Sequence, residues 1–170
     1  ASAQEKIASA MLLVVAGGET TKNLLGNGLL LLIQHPEAWR RLRAEPELID
    51  SAIEEMLRFE SPVQRGTLLT AVEDFELGSC LIKKGNQVAV LIGAANRDPE
   101  VFADPDRFDI TRSPNRHLAF GHGPHFCMGA ILARLEARIA FRMILERFSE
   151  VLIAPPGSPS GKRENLLGIL

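Results

Sequence analysis

The chain has 170 residues, 46% hydrophobic and 24% charged, the balance of a globular protein with room for a core of its own. A formal net charge of -2, no tyrosine and one tryptophan exclude a nucleic-acid binder driven by bulk positive charge or by rows of stacking aromatics. Two cysteines, Cys80 and Cys127, are too few for a disulfide framework and fit no zinc-knuckle spacing. A reducing cytoplasm is therefore the expected compartment, with a single disulfide between them left open. No secretory signal opens the chain, and residues 11–16 and 29–33, its most apolar stretches, fall far short of the roughly 20 residues that span a bilayer. A soluble protein with no membrane partner is expected.

No internal repeat is visible. From Ala3 to Gln34 apolar residues recur at three- and four-residue steps (Ile7, Met11, Val14, Val15, then Leu24, Leu25, Leu29, Leu32), which predicts one long helix. At about 1.5 Å per residue it runs close to 50 Å and must cross the molecule. Its middle, Ala16-Gly17-Gly18-Glu19-Thr20-Thr21, holds two glycines that cost roughly 1 kcal/mol each against alanine, so a close approach is expected there. His35-Pro36 stops this helix, and Pro36 suits the first turn of the next. A short Arg-rich helix over 37–44 follows. Another, over 48–59, turns Ile49, Ala52, Ile53, Met56 and Leu57 inward and ends before Ser61-Pro62.

Between Val63 and Ile92 apolar residues alternate with turn signals such as Gly78-Ser79 and Lys84-Gly85-Asn86, which predicts short strands and hairpins. Residues 96–116 form a loop of about 20 residues, long enough to suggest a function. After a Gly-rich turn a helix is predicted over 127–148, with Ile131, Leu132, Leu135, Ile139, Met143 and Ile144 inward. Residues 1–153 form the domain and 154–170 an irregular tail rich in Pro and Gly.

The most informative segment is Phe120-Gly121-His122-Gly123-Pro124-His125-Phe126-Cys127-Met128-Gly129. It sets a lone cysteine after a glycine turn and at the start of a helix, whose positive end and free N–H groups favour a thiolate. Gly121 and Gly123 permit positive φ and leave no Cβ in the way of a flat ligand. Gly129 removes bulk beyond the sulfur, and Phe120 is placed to pack on an aromatic ring. Residue types alone also admit a plain buried cysteine, or a metal site from His122, His125 and Cys127 that lacks a fourth ligand.

This segment resembles the cytochrome P450 pattern F-x-x-G-x-H/R-x-C-x-G at every specified position. The resemblance implies haem b (iron protoporphyrin IX), Cys127 as axial ligand to its iron, and His125 at a haem propionate. Ala16-Gly17-Gly18-Glu19-Thr20-Thr21 is similar to the family's A-G-x-D/E-T-T/S segment of the long distal (I) helix. It implies that Ala16 lies against the cofactor and that Glu19 and Thr20 form the acid–alcohol pair that delivers protons. Read alone, Glu19-Thr20 is as well explained as a solvated helix face.

Glu55 and Arg58 lie three apart on one helix face, as in an ordinary surface ion pair. They resemble the family's E-x-x-R, and Pro105-Asp106-Arg107-Phe108 its P-E-R-F, with Asp for Glu. The implied triad is Glu55, Arg58 and Arg107, a buried network pinning the long loop. Arg65, otherwise a strand-end surface residue, matches the family's second propionate partner.

The resemblance runs from about Met11 to Phe148. It implies a mainly α fold with small β-sheets: the C-terminal half of the P450 fold, from the distal helix through the cysteine loop and the following (L) helix, of the bacterial soluble type. The implied function is a haem-thiolate mono-oxygenase that inserts one atom of O2 into an apolar small-molecule substrate. Its electrons come from a ferredoxin with its reductase or from a flavin reductase. The alternative is a truncated, catalytically incompetent haem-binding or interaction protein. Family members are longer, and everything before the distal helix is missing here. Leu166-Leu167-Gly168-Ile169-Leu170 is a short echo of the family's last strands. An isolated chain of this kind is expected to expose the apolar side of its long helix, to be covered by self-association or a complementing domain.

Overall fold

The computed structural model describes residues 2–153, so the tail read at 154–170, with its strand echo, lies outside the described residues. The fold is mainly helical with two small sheets, as expected. Helix α1, Ala3–Gln34, opens on a capping box in which Ser2 Oγ accepts from Glu5 N–H at 3.2 Å and Ser2 N–H donates to the Glu5 carboxylate at 2.6 Å. Its two halves differ. Leu24, Gly28, Leu31 and Leu32 are buried, whereas Ile7, Met11, Val14 and Val15 are exposed.

Gly28 allows the central crossing. A Cβ there would lie 2.6 Å from Phe141 Cζ and 2.7 Å from Met56 Sδ, so only glycine lets α1 approach the two helices beneath it. At Gly17 and Gly18 nothing lies within 4 Å of such a Cβ among the described residues, so no protein group makes the close approach expected there.

Helix α2, Pro36–Ala44, takes the proline in its first turn, and Trp39 Nε1 donates to the Ser149 carbonyl at 2.9 Å. Helix α3, Ile49–Phe59, turns Ile49, Ala52, Ile53, Met56 and Leu57 into the core, as its periodicity predicts. Helix α5, Ala130–Arg147, completes the core against α1 and α3. Its buried face is Ala130, Ala137, Phe141 and Leu145. The expected inward residues Ile131, Leu132, Leu135, Ile139 and Met143 are exposed instead, and Ile144 is only partly buried. α5 is apolar on more than one side, and the core takes the side whose small residues let the helices approach.

The β segment consists of two antiparallel pairs: β1 (Leu69–Thr70) with β4 (Gln87–Val88), and β2 (Phe75–Leu77) with β3 (Cys80–Ile82). A short helix not foreseen from the sequence, α4 (Ile92–Ala95), joins them to the long loop.

Candidate functional site

The long loop is organised by two fully buried charges of α3. Arg58 Nε and Nη2 donate to the two Glu55 carboxylate oxygens at 2.8 and 2.9 Å. The remaining Arg58 donors reach the carbonyls of Asn96 (2.9 Å), Pro105 (2.8 Å) and Arg107 (3.2 Å). Every donor of the guanidinium fork is thus used, which is the condition for burying such a charge.

The third member is Arg112, not Arg107. Arg112 Nε lies 3.2 Å from both Glu55 oxygens. Its Nη1 donates to the Ala103 carbonyl at 2.7 Å, and its Nη2 to those of Asp104 and Arg107, each at 3.1 Å. The Arg107 side chain is 70% exposed, 3.9 Å from the Asp109 carboxylate. The turn at Asp104, where φ is 46°, presents the Arg107 carbonyl to both guanidiniums and leaves its side chain outside.

This loop carries the cysteine turn on a buried amide. Asn96 Nδ2 donates to Ser61 Oγ at 2.8 Å, and its Oδ1 accepts from Leu118 N–H at 2.7 Å. Beyond Leu118 the chain folds back on itself: Gly121 N–H donates to the Leu118 carbonyl, and Cys127 N–H to that of Phe120, both at 2.9 Å. Gly121 and Gly123 have φ of 72° and 74°, left-handed values that a side chain would strain. Regular helix begins at Ala130, three residues later than expected for the cysteine segment, so Cys127 sits in the turn before α5. Cys127 and Cys80 are both free thiols, which removes the disulfide option.

A cavity of about 260 Å3 separates this turn from the middle of α1. Cys127, Phe120 and Gly129 line one side; Ala16, Gly17 and Thr20 line the other. Leu24, Leu57, Val63, Ile92 and Leu132 make the walls apolar. Thr20 Oγ1 donates to the Ala16 carbonyl at 2.7 Å, so its lone pairs are free to accept. A Cβ at Gly129 would stand 3.8 Å from the Cys127 sulfur, and its absence keeps that side open. Of the other expected residues, Glu19, Arg65, Gly121, Gly123 and His125 are exposed and lie outside the lining. Among the described residues no three His, Cys, Asp or Glu side chains gather into a metal cluster, so His122, His125 and Cys127 do not build the alternative site.

The donor set suits haem: a single thiol, an apolar slot, aromatic Phe120 lining the same cavity as the sulfur, and the exposed side chains of Arg65 and His125 as donors for carboxylates.

Three side chains at this site carry no sequence signal, because their partners lie far apart along the chain. Arg134 of α5 donates to Glu54 of α3 at 2.6 Å (Nε) and 2.8 Å (Nη2). Its guanidinium carbon lies 4.5 Å from the Phe120 ring centroid. His117 Nδ1 accepts from Ala119 N–H at 3.2 Å, which leaves its ring proton on Nε2, 3.0 Å from Glu54. Burial alone would raise the Glu54 pKa; the hydrogen bonds from Arg134 and His117, with the Arg134 charge, outweigh it and hold the carboxyl at about 2.

The family model described as Cytochrome P450 matches residues 1–169. The biotin biosynthesis cytochrome P450 of Bacillus subtilis (strain 168) is 52% identical over 151 residues, which are 89% of this chain and 38% of that protein. The cytochrome P450 monooxygenase PikC of Streptomyces venezuelae is 49% identical over 152 residues, 89% of this chain and 36% of its own length. Among solved structures, CYP109E1 from Bacillus megaterium in complex with testosterone superposes with a TM-score of 0.88 at 41% identity, covering 92% of this chain and 43% of that one. P450BioI in complex with an acyl carrier protein ligated to hexadec-9Z-enoic acid gives a TM-score of 0.82 at 53% identity, over 85% and 37%. The chain thus spans well under half the length of the relatives it matches.

Proposed function

Since the chain belongs to the cytochrome P450 family, we propose that it is the haem-binding part of a haem-thiolate mono-oxygenase that transfers one atom of O2 to an apolar small molecule. The observation that carries this reading is the cavity that sets the Cys127 sulfur, Phe120 and Gly129 across from Ala16, Gly17 and Thr20. The cofactor would be haem b; when bound, it supplies the redox-active iron on which oxygen is activated, with thiolate pushing electron density onto the metal.

The chain's own residues bind, orient and move protons. Cys127 presents its sulfur from a turn fixed by its own N–H and by the Asn96 amide. Phe120 would pack beside the ring, and Gly129 would leave it room. Arg65 and His125, hydrogen-bond donors free of protein partners among the described residues, suit the two propionates. Thr20 holds its hydroxyl proton on the Ala16 carbonyl, which aims its lone pairs at a donor in the cavity. That hydroxyl would release a proton inward only as it accepts another from water, and Glu19, one residue earlier and exposed to solvent, would feed that water.

The apolar walls favour an apolar substrate. Electrons would come from a ferredoxin with its reductase or a flavin reductase. The two free thiols suit a reducing cytoplasm, and no helix among the described residues is long and apolar enough to cross a membrane. The bare first half of α1 speaks for a complementing domain or a second copy over the cavity, and the proposed turnover is that of the covered form.

Titration of the chain with haemin, followed by reduction under carbon monoxide, tests the reading. The expected result is tight uptake with the Soret band at the thiolate position, lost in Cys127→Ala. A parent chain that takes up no haemin, or a Cys127→Ala variant with the parent spectrum, overturns it.

A further inference from the structure

We propose that Arg134, held by Glu54, is a positioning residue for the cysteine turn and places a fixed positive charge that sets the reduction potential of the haem iron. This rests on the haem-thiolate reading above and adds a residue outside the motifs that led to it.

The geometry fixes the charge tightly. The Arg134 fork is engaged on two adjacent nitrogens by the Glu54 carboxylate, at 2.6 and 2.8 Å. Two-point contact removes the rotational freedom that an exposed arginine keeps. The same guanidinium lies over Phe120, its carbon 4.5 Å from the centroid, where cation and ring face attract. The Phe120 carbonyl accepts from Cys127 N–H at 2.9 Å, so the ring that Arg134 stacks on belongs to the residue that anchors the cysteine backbone. Glu54 also holds the start of the turn through His117 Nε2 at 3.0 Å, and His117 takes the Ala119 N–H on its other nitrogen. One carboxylate therefore ties α3 to α5 and to the start of the turn.

The charge reaches the cysteine turn through Phe120, whose ring it stacks on and whose carbonyl holds the Cys127 N–H. Arg134 is raised above the usual arginine value first by its hydrogen bond to Glu54, against the opposing effect of burial, then by the Glu54 charge and by that of Cys127. Glu54 and Arg134 are about a third exposed, at 28% and 34%, so water screens the field in part. Reduction adds an electron to a site that already carries thiolate charge. A neighbouring cation stabilises the reduced state more than the oxidised one.

The test is spectroelectrochemical titration of the haemin-loaded chain in four forms. Arg134→Gln is expected to give a more negative potential than the parent and a smaller thiolate-type fraction in the carbon monoxide spectrum. Arg134→Lys keeps the charge and loses the fork, so its potential stays close to the parent while haem dissociates faster. Glu54→Gln removes the compensating anion and shifts the potential positive. A merely structural ion pair would not order the potentials by charge in this way. Equal potentials for Arg134→Gln and the parent, both loaded, overturn this inference alone. A parent that takes up no haemin overturns the haem reading and this inference with it. If Arg134→Gln fails to fold, Glu54→Gln decides: a positive shift supports the proposal and no shift overturns it.

Discussion

Arg112 and Glu55 meet across 57 residues of sequence, with Arg112 Nε equidistant, at 3.2 Å, from both oxygens of a carboxylate that is wholly buried. Arg107, which the motif pointed to, gives this network its carbonyl and keeps its side chain in solvent. Replacement of Arg112 by alanine leaves Glu55 to Arg58, Asp109 N–H and Asn115 and takes a donor from three loop carbonyls, at a cost of about 1–3 kcal/mol. Arg107→Ala changes stability by about 0.5 kcal/mol or less, as surface changes do. Urea unfolding of the two variants side by side measures the contrast.

Gly28 and Gly26 offer a second contrast on one helix. An added methyl at Gly28 meets Phe141 and Met56 below 3.0 Å, whereas at Gly26 it meets nothing within 4 Å. Gly28→Ala is expected to destabilise by about 1–3 kcal/mol through overpacking. Gly26→Ala is expected to stabilise by up to about 1 kcal/mol through helix propensity. Thermal midpoints moving in opposite directions check both.

Glu54 makes stability depend on acid. Its folded pKa of about 2 lies below the ordinary 4.5, so the folded state binds its proton less readily than the unfolded chain. The stabilisation from this group is complete above about pH 4.5 and is lost as pH falls towards 2. Parent and Glu54→Gln are expected to differ most near neutral pH and to converge below pH 3 or so. Denaturation curves at stepped pH read this; a gap that stays constant refutes it.

The exposed apolar residues of α1 are joined by a second bare face at the start of α5, with Met128 of the preceding turn and Ile131 at 87% and 83% exposure. The chain by itself is expected to bind a hydrophobic dye and to self-associate, as patches of this size do. Lysine at Leu13 and Val14 should reduce dye binding and leave the unfolding midpoint nearly unchanged, within about 0.5 kcal/mol.

Local pattern made much of this readable. The periodicity of Ala3–Gln34 gave the long helix, and the glycines around Cys127 announced a turn with positive φ. What escaped was set by distant partners. Periodicity marks Ile131, Leu135 and Ile139 as apolar but cannot tell which side of a doubly apolar helix finds a neighbour, and Ala137 and Phe141 took it. Arg112 and Arg107 are both loop arginines in sequence; only the backbone turn between them decides which enters. Glu54, His117 and Arg134 meet across three elements, so no window of sequence contains their pairing.

Only part of α1 is anchored, and that has a kinetic corollary. From Leu24 onward the helix is clamped by the crossing at Gly28, while its first four turns stand as a cantilever supported by their own amide ladder and one capping box. Unsupported helix of that length is marginal in water. Amide exchange should therefore be fast ahead of Ala16 and slow past Leu24, with Glu19 and Thr20 at the root, where fraying stops. Any body that settles on the cantilever would quieten the proton-bearing residues without touching them.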